Sequence, residues 1–532
     1  MNASTYGFVI RDLQTGCGIL SRMPLANPQR AATELDQFLD NLLSAPPESD
    51  TLFQLLEQSR LTVSHVVDEL AKRYLSKPLP YGDIEEGFFR QVTSLCQKTV
   101  EAYNLCARHD SSVHESPAHM RRVATILHRC LYHTGAAILE HQRARHEYPW
   151  RLWLDLHGYY ASAEEWGVDK VVVTDPLEPL GRSTHCTACY VVPLLADLAG
   201  CYGLPTRDQA LVHRWAAHWA PLVSLEKAVP GEALPHFVID LMQDVALRPS
   251  IECLNTDQIR RLDTSPLAIH ISQIRQQLHQ QIPPGQLALG DNCTSSQCQR
   301  LLEHLSRPWS MVKAQRKFRR RAASGTTRLC FGFEEMHYFI SGKAFEQPEN
   351  VRTYSRREYD TLFAFRYQDN PQQMLNVRRK ELAYDIDTWE VVNQSANGFR
   401  LVRSVSGRKM AHGQLLALSP PDTEQFLLAQ TVWLMQENTG GLIAGIKALP
   451  GLPMATAARL VDQSGTDDNK YQRVFLLPEV EVEQSPQSLV VPQGWYRSGR
   501  IVELFTGTAW QIRMLYLLDS GPDFERVVFD IA

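Results

Sequence analysis

The feature that most constrains the fold is a change of hydrophobic period near residue 326. Upstream, apolar residues recur at three- and four-residue steps. Leu52, Leu56, Val63, Val67, Leu70 and Tyr74 follow one face, while Glu57, Arg60, Asp68 and Lys72 lie on others, the mark of an amphipathic helix. Similar patterns run over about 83–107, 118–146, 184–201 and 206–219. Their lengths and joins differ, so an irregular helical bundle is expected rather than a solenoid. Near the start, Phe8-Val9-Ile10 reads as a short strand, and Asn27-Pro28 as an N-cap followed by proline at the first helical position.

Downstream, the apolar residues form short β-rich runs: Arg328 to Phe333, Trp389 to Val392 and Phe399 to Val402, separated by Gly, Asn, Ser and Pro. Pro420-Pro421 breaks the block, after which Thr431 to Met435, Val474 to Leu477 and Ser488 to Val491 form a second one. The expected fold class is α+β and multidomain. Residues 1–310 are expected to be mainly helical, with two β-rich domains of barrel or sandwich kind over 311–420 and 421–532.

A chain of 532 residues has room for three or four domains. With 44% hydrophobic and 21% charged residues it is ordinary globular material, not a disordered, collagen-like or coiled-coil chain. The net charge of −5 gives no general attraction for nucleic acid or anionic membranes, so any anionic partner must meet a local patch. Eleven scattered cysteines form no disulfide framework, which points to a reducing, cytoplasmic setting. The first residues show no secretory signal. The most apolar stretch, Tyr190 to Leu204, contains Pro193 and Asp197 and is too short to span a membrane.

Two motifs carry the candidate chemistry. Arg316, Lys317, Arg319, Arg320 and Arg321 form the densest charge cluster, just ahead of the first β run. Arginine offers a planar fork that suits phosphate or the O6/N7 edge of guanine and can stack on a base, although a solvated basic linker has the same composition. The second motif is Asn393-Gln394-Ser395-Ala396-Asn397-Gly398, between two strand-like runs. It reads as a tight loop presenting amide, hydroxyl and backbone donors, with Gly398 allowing positive φ or close ligand approach.

In this order the motifs resemble the PilZ family of cyclic-di-GMP receptors, in which an Arg-x-x-x-Arg segment leads into a six-stranded β-barrel carrying an Asp/Asn-x-Ser-x-x-Gly loop. Arg316 and Arg320 match the first element, with Arg319 and Arg321 as basic neighbours; Asn393, Ser395 and Gly398 match the second. Gly413 to Leu418 resembles a later barrel strand. Pro24 to Pro28, Tyr190 to Trp219 and Asp523 to Phe529 resemble large bacterial PilZ-containing proteins of the pilus-associated FimW kind. The chain departs from the pattern in spacing. Arg320 and Asn393 are 73 positions apart, which requires an insertion at about 340–388, and a rival Arg352-x-x-x-Arg356 lies nearer the loop.

Other residues have ordinary explanations beside functional ones. Cys186 and Cys189, with His185 adjacent, could hold zinc or exchange thiols, but the second pair, Cys293 and Cys298, is distant and differently spaced; small helical cysteines account for them. His109-Asp110 with His114, His119, His128 and His133 superficially suits an HD-type metal phosphohydrolase, without the further aspartates such a site needs. Trp150, Trp153, Tyr159, Tyr160, Trp215 and Trp219 fit helix packing or a partner groove. The resemblance thus implies a non-enzymatic cytoplasmic receptor with cyclic-di-GMP as ligand and no metal or other cofactor. It would signal to an unidentified protein partner, in pilus or motility machinery, without binding nucleic acid. The alternatives are a ligand-free interaction scaffold and the HD-type enzyme.

Overall fold

The computed structural model of the protein describes residues 9–109, 116–178, 181–229, 234–250, 257–311, 320–348, 384–404, 407–461 and 470–532. They form two compact units, one of Met1–Lys77 and Tyr81–Gln315, the other of Pro78–Pro80 and Arg316–Ala532.

The first unit contains α1 (Leu13–Ser21), α2 (Pro28–Ser44), α3 (Ser49–Ala71), α4 (Asp83–His109), α5 (Pro117–Ala144), α6 (Leu152–Glu165), α7 (Cys186–Leu198), α8 (Thr206–Trp219), α9 (Ser265–His279) and α10 (Ser295–Ser306). Asn27 caps α2 by accepting from the Arg30 N–H at 3.2 Å, with Pro28 at the first helical position. Val9 and Ile10 form no strand; Ile10 is buried as the chain enters α1 behind its Asp12 cap. The unit also holds a hairpin, β1 (Val173–Thr174) with β2 (Ser183–Thr184). A four-stranded sheet, ordered β3-β6-β4-β5, is made by β3 (Ser224–Lys227), β4 (Phe237–Asp240), β5 (Arg248–Pro249) and β6 (Ile259–Asp263). Strands this short carry too few alternations to announce themselves in sequence.

α5 runs through the middle of this unit and is buried on several sides. Ile126 and Cys130 enter the core built by α2, α3 and α4, whereas Leu127, Leu131 and Ile138 enter the one built by α6, α7 and α8. Where α5 meets α3, buried Arg60 donates twice to Asp175, at 2.7 and 2.8 Å. Buried Arg129 donates to both oxygens of Glu57, at 2.9 and 2.8 Å, and lies 3.3 Å from Asp175. Burial alone would raise the Asp175 carboxyl, but the two guanidinium groups outweigh it and hold it below its ordinary value. Burial and the Arg129 charge push His128 down to about 3; burial and Arg60 likewise push His133 well below its usual range.

In the second unit, β7 (Arg321–Ala322) and β8 (Thr326–Phe331) lead into α11 (Phe333–Ser341), so the departure from the ladder begins directly after β8. The barrel resumes with β9 (Asp387–Gln394), β10 (Gly398–Arg403), β11 (Leu415–Ser419), β12 (Leu427–Gln436) and β13 (Leu442–Ala448). All pairs are antiparallel, and the ring closes as β8-β9-β10-β13-β12-β11 and back to β8. Its interior includes Val391, Leu401, Ala444 and Leu434, which lie across from one another on four successive strands. The expected domain boundary at 421 therefore falls inside this barrel. Pro420 and Pro421 interrupt the connection between β11 and β12, and Thr431 to Met435 belongs to the first barrel, not the second. Proline ends a strand at a hairpin as readily as at a domain join.

The second barrel is β14 (Met454–Leu460), β15 (Gln472–Leu477), β16 (Ser488–Pro492), β17 (Ile501–Phe505), β18 (Ala509–Ser520) and β19 (Phe524–Ile531), closed in the order β14-β15-β16-β19-β18-β17. The two barrels share an apolar seam. Leu415 and Ala417 of β11, Met336 of α11, Phe475 and Leu477 of β15, Val490 of β16 and Phe524 form one buried cluster. β11 and β16 are consequently covered on both faces, which is why Leu415 to Leu418 and Leu489 to Val491 are unbroken apolar runs rather than alternating ones.

Two outcomes are expected. His128 and His133 take up protons more readily when unfolded, so stability should fall as pH drops below about 6.5, by up to about 1.4 kcal/mol per pH unit for each. A His128→Gln/His133→Gln variant should show a flatter decline between pH 6 and 4 in helical circular dichroism melts; an identical slope would contradict this. Phe475→Ala, emptying the seam, should destabilise the barrel unit by about 3 to 5 kcal/mol in chemical denaturation, and a loss below 1 kcal/mol would count against a shared core.

Candidate functional site

β9 and β10 are joined by the turn that the second motif encodes. The Ser395 N–H donates to the Gly398 carbonyl at 2.7 Å, and the Ser395 hydroxyl to the same oxygen at 3.3 Å. Gly398 opens β10 without a left-handed φ. What favours glycine there is close approach, since a Cβ would lie 3.1 Å from Ser395 Oγ. Of the two roles expected for this glycine, the conformational one is therefore not used.

Asn393 reaches the outer face of the barrel through a bulge. Val391 pairs with Leu401 and points inward, and simple alternation would turn Asn393 inward as well. Instead Val392 is an extra residue, 41% exposed, and Asn393 pairs with Arg400 on the outside.

β7 lies along the same strand. Arg321 pairs with Gln394 and Ala322 with Asn393, while the Ala323 N–H donates to Val392 at 3.3 Å and the Val391 N–H to Gly325 at 2.9 Å. Gly325, with φ +123°, lets the chain pass from β7 into β8 without leaving β9. The polypeptide thus arrives from Arg320 beside the Ser395–Gly398 turn. Arg320 and Arg321 are exposed and form no ion pair with a described residue. Arg320, Arg321, Asn393, Ser395 and Gly398 are brought to one place; Arg316 and Arg319, and the rival Arg352 and Arg356, lie outside the described residues.

The row through Asn393 continues around the barrel: Asn393 faces Arg400, Arg400 faces Gly445, and Gly445 faces Trp433. Trp433 is turned outward by a second bulge, at Val432, which is also 41% exposed. Its indole covers Gly445, where a Cβ would fall 1.9 Å from Nε1. The Arg400 guanidinium carbon is 5.9 Å from the centre of that ring, and Arg400 Nε is shielded from solvent without a hydrogen-bond partner among the described residues, as is Arg403 Nε. Exposed Lys447 stands opposite Gly398. Reading along the sequence missed Arg400 and Trp433. Arg400's place two residues after Gly398 was a usable signal, but nothing local to Trp433 reveals its bulge.

The remaining candidates are dispersed. Cys186 starts α7, donates to the Ala124 carbonyl at 3.5 Å and is pushed up to about 12 by burial; burial raises the Cys189 thiol too. Cys293 and Cys298 meet each other, sulfur to sulfur, at 2.9 Å. His128 and His133 belong to the arginine network, His119 lies near Trp166, and Asp110, His114 and the His109 side chain are outside the described residues. Among the described residues no group of three or more His, Cys, Asp or Glu is set to hold a metal, and no helix is long and apolar enough to cross a membrane. Trp153, Tyr160, Trp215 and Trp219 are core residues, Tyr159 is partly buried, and Trp150 is 82% exposed.

Three family models match successive parts of the chain: the N-terminal domain of the cyclic-di-GMP receptor FimW over residues 18–230, its middle PilZ domain over 236–379, and the FimW C-terminal β-barrel domain over 456–532. The cyclic-di-GMP receptor FimW of Pseudomonas aeruginosa is 23% identical over an alignment covering 91% of this chain and 84% of that protein. No solved structure matches the chain. The three models belong to one family and follow one another along this chain in domain order, the last of them on the second closed barrel, while the middle match ends ahead of the Asn393–Gly398 turn; the chain belongs to the FimW family of PilZ-containing proteins.

Proposed function

We propose that the protein is a non-enzymatic receptor for cyclic-di-GMP. The observation that carries this reading is the pairing of Arg321 and Ala322 with Gln394 and Asn393, which runs an arginine-rich chain past a turn of amide and hydroxyl groups. Arg316, Arg319, Arg320 and Arg321 would supply guanidinium forks for the phosphates and guanine edges, and Asn393, Ser395 and Gly398 the opposing wall. The name of the Pseudomonas relative supports the same ligand.

Occupancy would be passed to a protein partner in the cytoplasm, in pilus, motility or surface-attachment control. Drawing the arginine segment onto the barrel is a change a ligand can drive, provided it binds the two arrangements unequally. Among the described residues the buried His128 and His133 face arginines, which favours neutral core histidines over metal ligands for hydrolysis.

Calorimetry with cyclic-di-GMP, followed by chromatography of the nucleotide, should show binding without turnover. Arg316→Ala and Arg320→Ala should each cost about 1.5 to 3 kcal/mol of binding, and Ser395→Ala about 0.5 to 1.5. Arg352→Ala and Arg356→Ala should stay within a few tenths. Loss of binding in the last two with retention in the first two would transfer the site to the rival pair.

A receptor for a small nucleotide should also lack the steep salt response of a duplex-binding protein, whose affinity falls with a log-log slope near −0.9 per phosphate contact. Tight duplex binding with a slope of several units between 50 and 300 mM salt would overturn the assignment.

A further inference from the structure

We propose that Trp433, laid across Gly445, is a stacking platform for one guanine base of the bound nucleotide, with Arg400 at its rim reading the base edge. The proposal rests on the receptor reading above and extends its site beyond the two motifs, around the barrel from β9 to β12.

Three independent features of the sheet meet here. First, Asn393 and Trp433 would both face the barrel interior if their strands alternated regularly; separate bulges at Val392 and Val432 turn them outward onto one row. Bulges re-aim side chains at a cost to the ladder, and two of them serving the same face mark that face as built for a ligand.

Second, Gly445 leaves room for an indole to lie on the backbone itself. A tryptophan held flat in this way is only partly buried and offers a rigid ring to solvent. Every nucleobase has a π-face to place on it.

Third, Arg400 has no carboxylate partner among the described residues, and its guanidinium stands at the rim of the Trp433 ring, 5.9 Å from the ring centre. Arg403, three residues on, is paired with Asp387. A guanidinium with no carboxylate to hold it keeps its donors for a ligand. The O6/N7 edge of guanine accepts two hydrogen bonds from such a fork, whereas adenine presents a donor at N6 that the fork cannot satisfy. Lys447, opposite Gly398, adds a positive charge between platform and turn for the phosphates.

The test uses full-length protein and cyclic-di-GMP. Trp433→Ala should weaken calorimetric affinity about ten- to hundredfold, while Trp433→Phe, which keeps a ring, should recover most of it. Arg400→Ala should reduce the preference for cyclic-di-GMP over cyclic-di-AMP. In protein labelled with 5-fluorotryptophan, the fluorine resonance assigned to residue 433 by its absence in Trp433→Phe should move on saturation with ligand, a readout independent of whether the alanine variant folds. Wild-type binding that Ser395→Ala weakens, with Trp433→Ala binding normally and the 433 resonance unmoved, would sink the platform and leave the receptor reading standing. Absence of any wild-type binding would sink the receptor reading, and the platform with it.

Discussion

β9 has two edges and three partners, and the second unit is organised by that fact. β10 occupies one edge; β8 and β7 divide the other, β8 pairing with Asp387–Glu390 and β7 with Asn393–Gln394. The first part of this arrangement closes the barrel. The second lays Arg321 and Ala322 beside the turn that carries Ser395. Closure and the candidate site are therefore consequences of one register, and a one-residue slip would invert the faces of the whole strand.

The helical periodicity and the apolar strands were legible because they are sustained signals. α3, α4 and α5 follow stripes long enough to be read directly, and Asn27-Pro28 marks a real cap. The join between the barrels was not legible, since β11 and β12 are separated by the kind of proline pair that also separates domains. The turn at Asn393 to Gly398 was visible as a motif, but its outward direction was not. Alternation, the rule by which faces are read from sequence, fails where a bulge has been inserted, and bulges at Val392 and Val432 set the outer row that runs from Asn393 to Trp433.

Arginine illustrates how little residue type alone decides. Arg60 and Arg129 are buried and paired with Asp175 and Glu57, supplied from distant parts of the chain, and their charges depress the neighbouring histidines. Arg320 and Arg321 are exposed with no such partner among the described residues, and Arg400 is half-sheltered. No count of charges along the sequence separates these fates, because the carboxylates that neutralise the first pair are neighbours in space and not in order. An arginine becomes available to a ligand when the fold withholds a carboxylate from it.

The apolar seam between the barrels bears on how such a chain can be inherited. β11 and β16 each bury a second face against the other barrel, and Phe475 and Phe524 have their places in that junction. Domains joined by a linker can be shuffled between genes, lost or duplicated separately. Two barrels with a common core cannot be: a gene fragment encoding either one alone would leave leucine, valine and phenylalanine side chains facing water on a strand meant to be covered. The pair is one heritable piece, and variation on one side of the seam must be matched by variation on the other.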